Sequence, residues 1–223
     1  LRFQTDNPAT WSEALAQSGY TLDLLAAAVP IEGTLWTKGM EEPLTVRGTL
    51  AATHSWMQKS SSSVMVRRVE FFTLREDFPM YGIDLTTPAG APLRWFIVKL
   101  HEGQQLESDA FELTFAQEVE PRKDPGYTVP GNLRLRSAQL NGQITLARII
   151  LRHDPFAKLP GPIRLLASTI LNLYPLQVWA VSPFSLVVQP DRTSVSLSSQ
   201  DSVEQIKQHG MGVTAITFLG PLK

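Results

Sequence analysis

Six side chains in this 223-residue chain have types and spacings that bear on chemistry. His54 stands in Thr-His-Ser-Trp-Met, where an imidazole beside the Trp56 ring can orient a ligand or move a proton near neutral pH. The plainer reading is a half-buried histidine whose ring nitrogens are satisfied by backbone. Asp84, in Tyr-Gly-Ile-Asp-Leu-Thr-Thr, is a carboxylate inside an apolar strand and costly to bury unpaired. It handles a proton, belongs to an ion pair with Arg67, Arg68 or Arg94 on a neighbouring strand, or faces solvent. Trp56, Phe71, Tyr81 and Trp95 are aromatics that line a cavity in a wide β-barrel, or fill its core. His54 and Asp84 are thus the candidate catalytic groups, and the four aromatics the candidate ligand wall.

Several chemistries are excluded by the same inventory. The chain has no cysteine, which removes disulfides, thiolate nucleophiles and cysteine-based metal sites. His54, His101, His153 and His209 stand at no metal-ligand spacing from one another, so no metal and no cofactor is expected. There is no Gly-x-Ser-x-Gly elbow, and Gly210-Met-Gly212 precedes a strand, as a bulge or turn would. Net charge is −1 with both signs interspersed, which argues against a nucleic-acid-binding face. No apolar run is long enough for a membrane-spanning helix. No leader is expected from the opening Leu-Arg-Phe-Gln, and a cytoplasmic location follows as an expectation, with peripheral membrane contact left open.

The elements that must position these residues read as short strands. Asn7-Pro8, with Trp11, Ala14 and Leu15 at helical spacing and Gly19 as a stop, predicts a short helix. Tyr20–Pro30 predicts a strand ended by Pro30 and Gly33. Dense Gly, Pro and Ser punctuation then separates strand-length runs at Leu44–Leu50, Val64–Leu74, Tyr81–Thr86 and Arg94–Leu100. The four serines at 60–63 read as a hairpin turn. The alternation in Val64–Leu74 slips across Arg67-Arg68, which predicts a β-bulge there. Arg68 and Glu70 share one strand face and are expected to face solvent. Phe111–Val119 alternates, and Glu120–Gly126 is the best linker. It divides the chain into a first β portion, 1–122, and a second, 123–223, with one helix near 162–173. Leu133 and Leu135 face in, Arg134 and Arg136 face out, and Asn141-Gly142 is the strongest hairpin signal, with Ile144–Leu151 returning as its partner. Asp154 is placed to cap a turn. After it, Pro162 opens a helix with Ile163, Leu166, Ala167, Ile170 and Leu171 on one face. Strands follow at Leu176–Val181, Phe184–Val188, Thr193–Leu197 and Gly212–Leu219. Many short strands with one or two short helices make a mainly β, antiparallel β-barrel or sandwich.

The order of these pieces resembles the survival-factor proteins of fungi. These belong to a wider lipocalin-like group with the hydroxyneurosporene-synthase-like carotenoid hydratases, tocopherol cyclases and fungal Diels–Alderases. The residues that carry the likeness are Thr53-His54-Ser55-Trp56-Met57-Gln58, then Arg67-Arg68-Val69-Glu70-Phe71-Phe72, then Ile83-Asp84-Leu85-Thr86-Thr87-Pro88. Further on come Asp154-Pro155-Phe156-Ala157-Lys158-Leu159-Pro160, a helix, Tyr174-Pro175-Leu176-Gln177-Val178-Trp179 and the closing Gly212–Phe218 run. Trp56 stands where the family has a small residue, and the Asn of its Arg-Trp-Asn-Phe strand is replaced. The resemblance implies a lipocalin-like (calycin-type) fold, with two barrels or half-barrels packed together and an apolar ligand between strands. It implies a protein that binds or carries a hydrophobic small molecule such as a lipid, isoprenoid or polyketide. The alternative is a cofactor-free cyclase, hydratase or isomerase acting on one, and a third reading is a structural interaction domain.

Overall fold

A computed structural model describes residues 9–11, 19–100, 105–120, 129–169, 175–189 and 205–220. Thirteen strands and two short helices occupy them. A small sheet holds β1 (Ala9–Trp11), β2 (Tyr20–Leu35) and β3 (Leu44–Met57) in that order. A large sheet holds β4 (Arg67–Thr73), β5 (Met80–Thr86), β6 (Pro92–Lys99), β7 (Gln105–Ser108), β8 (Glu112–Glu120), β9 (Val129–Arg136), β10 (Leu140–Thr145), β11 (Arg148–His153), β12 (Leu176–Val188) and β13 (Ile206–Phe218). Its order is β7-β6-β5-β4-β13-β12-β10-β9-β8, with β11 beside β12 and every pair antiparallel. The helices are α1 (Ser61–Val64) and α2 (Gly161–Thr169). The large sheet curls into a half-barrel, consistent with the lipocalin-like fold that the family resemblance implies. Its two end strands, β7 and β8, are joined by residues 109–111 alone, so the curl brings the sheet's free edges close together.

Both faces of the large sheet are buried where it is crossed by the small one. Val69, Phe71, Met80, Phe96 and Ile216 point into the concave side, where they meet Leu133, Leu135, Ile144 and Phe184 from the opposite wall. Tyr81, Ile83, Leu85, Trp95 and Ile97 point the other way and pack on Tyr20, Leu22 and Leu24 of β2. Successive residues of a strand face opposite sides, so a strand buried on both sides has no polar face to show. Val69-Glu70-Phe71 and Met80–Leu85 are runs of that kind.

Local expectations fare unevenly. Residues 9–11 form β1, paired with Leu22–Leu24, rather than the start of a helix; 12–18 lie outside the described residues. The tertiary partner offered by β2 outweighs a weak helical spacing. β2 runs on past Pro30 to Leu35, because along that stretch its only described neighbour is β3 and a missing N–H costs nothing on a free edge. The register shifts between Ala26 and Val29, where Ala28 has φ 52°. No bulge interrupts β4, whose pairing with β5 and β13 is continuous. The slip in the sequence arises because Val64 belongs to α1 and the strand begins only at Arg67. The serines therefore cross from one sheet to the other instead of closing a hairpin: Ser63 Oγ donates to the Ser60 carbonyl at 2.7 Å.

The hairpin near Asn141-Gly142 exists, but its turn is at Ser137–Gln139. Ser137 Oγ accepts from Leu140 N–H at 2.8 Å, and Ser137 N–H donates to the Leu140 carbonyl at 2.8 Å. Asn141 and Gly142 lie within β10. The returning segment is two strands, since β10 pairs β9 and β12 while β11 pairs β12 alone. β12 is one strand through Pro183, which stands where its neighbour changes from β11 to β10. Asp154 Oδ1 does accept from Phe156 N–H at 2.8 Å, as a capping aspartate should. Within α2, Ile163 and Leu166 are exposed and Ala167 is buried. Of the linker expected at 120–126, Glu120 ends β8 and 121–126 fall outside the described residues, as does the strand at 193–197.

Candidate functional site

The pairing register sorts the six sequence-derived candidates into three layers. His54 and Trp56 alternate with inward residues of β3 and lie opposite Asp23 and Thr21 on the outer face of the small sheet. The His54 side chain is 62% exposed, its Nδ1 is 4.0 Å from Asp23 Oδ2, and its ring centroid is 5.0 Å from that of Trp56. Tyr81 and Trp95 lie in the middle layer, between the sheets, with ring centroids 6.0 Å apart. Phe71 and Asp84 lie on the concave side of the large sheet. Tyr81 and Trp95 are therefore brought together, as are His54 and Trp56. His54 and Asp84 are kept apart by the intervening layer and the thickness of a sheet.

Asp84 is fully buried and is held by two guanidinium groups. Arg94 Nε donates to Oδ2 at 2.6 Å, and Arg67 donates from its terminal nitrogen to Oδ1 at 3.3 Å. Each arginine also reaches the far edge of the half-barrel. Arg94 donates to the Phe111 carbonyl at 2.9 Å, and the Arg67 guanidinium lies 4.1 Å from the centre of the Phe115 ring. Burial lowers the Arg67 pKa more than Asp84 restores it, with Arg94 adding repulsion. Among the described residues, this triad joins β4, β5 and β6 to β8 and to Phe111 just before it, across a gap that no strand pairing closes.

The middle layer holds a second polar cluster that the sequence reading placed in solvent. Tyr81 Oη donates to Glu70 Oε1 at 2.7 Å, and Arg68 Nε stands 3.0 Å from Glu70 Oε2. Tyr20, fully buried on β2, brings its hydroxyl beside the Arg68 guanidinium. Ala215 flanks Glu70 on β13, and its small side chain leaves room for the carboxylate. Trp95 Nε1 donates to Glu107 Oε1 at 2.7 Å at the neighbouring rim. Burial pushes the Tyr81 hydroxyl well above its ordinary pKa, and the Glu70 charge and hydrogen bond push it further. Burial alone would lower the Arg68 pKa, but Glu70 and Tyr20 together hold it above its ordinary value. The sequence carried the signal for this cluster. Val69, Phe71 and Phe72 make β4 apolar on both faces, and Glu70 between them must then be buried too.

The concave side is well filled. A void there, lined by Phe71, Met80, Ile144, Phe184 and Thr214 among others, has a volume of about 10 Å³. That is room for roughly one water molecule and not for an isoprenoid. By contrast, the middle layer reaches solvent at its edge, where the Arg68 side chain is 23% and Glu70 11% exposed. Among the described residues no cluster of three metal-ligating side chains occurs, and no helix is long and apolar enough to cross a membrane.

No family model matches the sequence, and no curated protein matches it significantly. Solved structures do. Kievitone hydratase from Nectria haematococca superposes with a TM-score of 0.52 at 12% identity, over 98% of this chain and 70% of its own. A structure of CghA with Sch210972 superposes with a TM-score of 0.53 at 12% identity, over 91% of this chain. The chain spans 55% of that protein's length. At this identity the likeness establishes a shared fold.

Proposed function

We propose that this chain receives a hydrophobic small molecule at the seam between its two sheets and performs acid–base chemistry on it, adding or removing water or closing a ring. The observation that carries this reading is the Tyr81–Glu70–Arg68 cluster: a hydrogen-bonded acid and hydroxyl, with a compensating cation, set into an otherwise apolar layer. A passive barrel wall needs none of these groups. Glu70 can take a proton from water or a substrate hydroxyl, and Tyr81 can give one, so the pair moves a proton without leaving the layer. Trp95 and Tyr20 supply flat apolar surface beside them, against which an unsaturated substrate is held in one conformer. The fold comparisons support the reading, since one matching structure is named a hydratase and the other contains a small organic molecule. The survival-factor-like motif order supports the same substrate class.

The test is a panel of unsaturated isoprenoids and polyketides incubated with the protein and followed by mass spectrometry. Hydration appears as the gain of one water, and cyclisation as a new retention time at unchanged mass. Tyr81→Phe and Glu70→Gln are each expected to lower turnover by roughly 10²–10⁴ while ligand still quenches tryptophan fluorescence. His54→Ala is expected to leave turnover nearly unchanged, because its ring lies on the outer face. Saturable binding with no turnover would leave a carrier in place of an enzyme. Neither binding nor turnover across the panel would sink both.

A further inference from the structure

The segment from β11 through α2 exposes apolar and basic side chains side by side. All six residues of β11 are exposed, Ile150 by 52% and Leu151 by 46%. On α2, Ile163 is 51% and Leu165 63% exposed, on opposite sides of the helix. The two elements are tied together by the short 154–160 connection and by Arg164, whose guanidinium is 3.4 Å from Asp154 Oδ2. Trp179, itself exposed, pairs with Leu151 and extends the patch onto β12.

The charges in this segment are not a sample of the whole. Residues 148–169 carry Arg148, Arg152, Lys158 and Arg164 against Asp154 alone, a net of +3 in a chain whose total is −1, so the remainder carries −4. A second exposed apolar stretch gives the contrast. The outer half of the β2–β3 hairpin shows Leu35, Trp36 and Leu44, but residues 29–47 carry a net charge of −1. Of these two exposed apolar stretches, the β11–α2 face is the one that carries net positive charge.

We infer that this face docks the protein on an anionic lipid surface. Exposed Leu and Ile enter the boundary between headgroups and acyl chains, and the interspersed arginines and lysine meet lipid phosphates. An anionic membrane favours each basic side chain near it by roughly fivefold in partitioning, and it would repel the hairpin tip. The membrane would then be met in one orientation. A second copy of the chain fits less well, because two such faces would bring like charges together.

The test is cosedimentation of the 223-residue protein with vesicles of phosphatidylcholine, with and without phosphatidylserine. Binding is expected only with phosphatidylserine, and to fall steeply at about 1 M salt, where the Debye length is roughly 3 Å. The triple variant Arg148→Gln/Arg152→Gln/Lys158→Gln is expected to lose on the order of 100-fold in partitioning. Ile150→Ser/Leu165→Ser should weaken binding at unchanged charge. All five positions are exposed, and unchanged circular dichroism checks that the variants fold. Equal binding to both vesicle types, no binding to either, or a triple variant that binds like the parent would overturn the inference. So would a concentration-dependent dimer that the same substitutions abolish, since a second copy would then cover the face.

Discussion

Asp84 and Glu70 are carboxylates in the middle of apolar strands, and each is accommodated because a guanidinium accompanies it inward. For Asp84 the company is complete, with one arginine on each oxygen. Replacing it with Asn would leave Arg67 and Arg94 facing each other with their partner charge removed. Loss of one member of a buried pair typically costs about 3–5 kcal/mol. Urea unfolding of Asp84→Asn is expected to show a loss in that range. A loss below about 1 kcal/mol would mean that both arginines swing out to solvent at no cost. Glu70 is different: Arg68 and Tyr81 satisfy it, yet its side chain keeps a little exposure at the seam. An acid with one partner that can give up a proton and one route to solvent is better placed for chemistry than an acid locked between two cations.

At the scale of elements, the β9–β10 hairpin shows how one glycine can be present for a reason other than the turn it signals. Gly142 pairs with Leu135 on one side and Leu186 on the other, in the middle of three strands. A Cβ there would collide with the Ser185 carbonyl oxygen and stand 2.7 Å from a Leu186 methyl. The carbonyl belongs to a paired strand and cannot step aside. Gly142→Ala is expected to cost about 1–3 kcal/mol by overpacking. Ser137→Ala, which removes the turn's acceptor for Leu140 N–H, should cost nearer 1 kcal/mol. Thermal unfolding of the two variants ranks them, and the reverse order would mean that the neighbouring strand yields to the added methyl at Gly142. Helix α2 makes a related point. Its apolar spacing correctly marked a helix, but spacing reports amphipathicity and not which surroundings the apolar side meets.

At the scale of the molecule, the small sheet and the half-barrel meet through one buried layer, and Tyr81 lies inside it. Its pKa is raised above the ordinary 10.0. The folded state therefore keeps the phenol proton at a pH where the unfolded chain has released it. The resulting stability is fully present below about pH 10 and is lost as pH climbs from there toward the folded-state value. Denaturant midpoints measured from pH 8 to 11 should fall at the alkaline end for the parent protein and fall less for Tyr81→Phe. Parallel curves would place the alkaline loss elsewhere. By itself, the sequence determined the strand-rich, mainly β class, a helix beginning near Pro162 and the apolar runs that build both cores, and it named Arg67 and Arg94 among three candidate partners for Asp84. These are local matters of period, propensity and the cost of an unpaired charge, and one strand carries enough information to decide them. Which layer each side chain enters was decided only by tertiary structure. His54 and Tyr81 sit in strands of similar character, yet one faces water and the other is enclosed. The difference lies in what packs against each sheet face, and no single strand contains that.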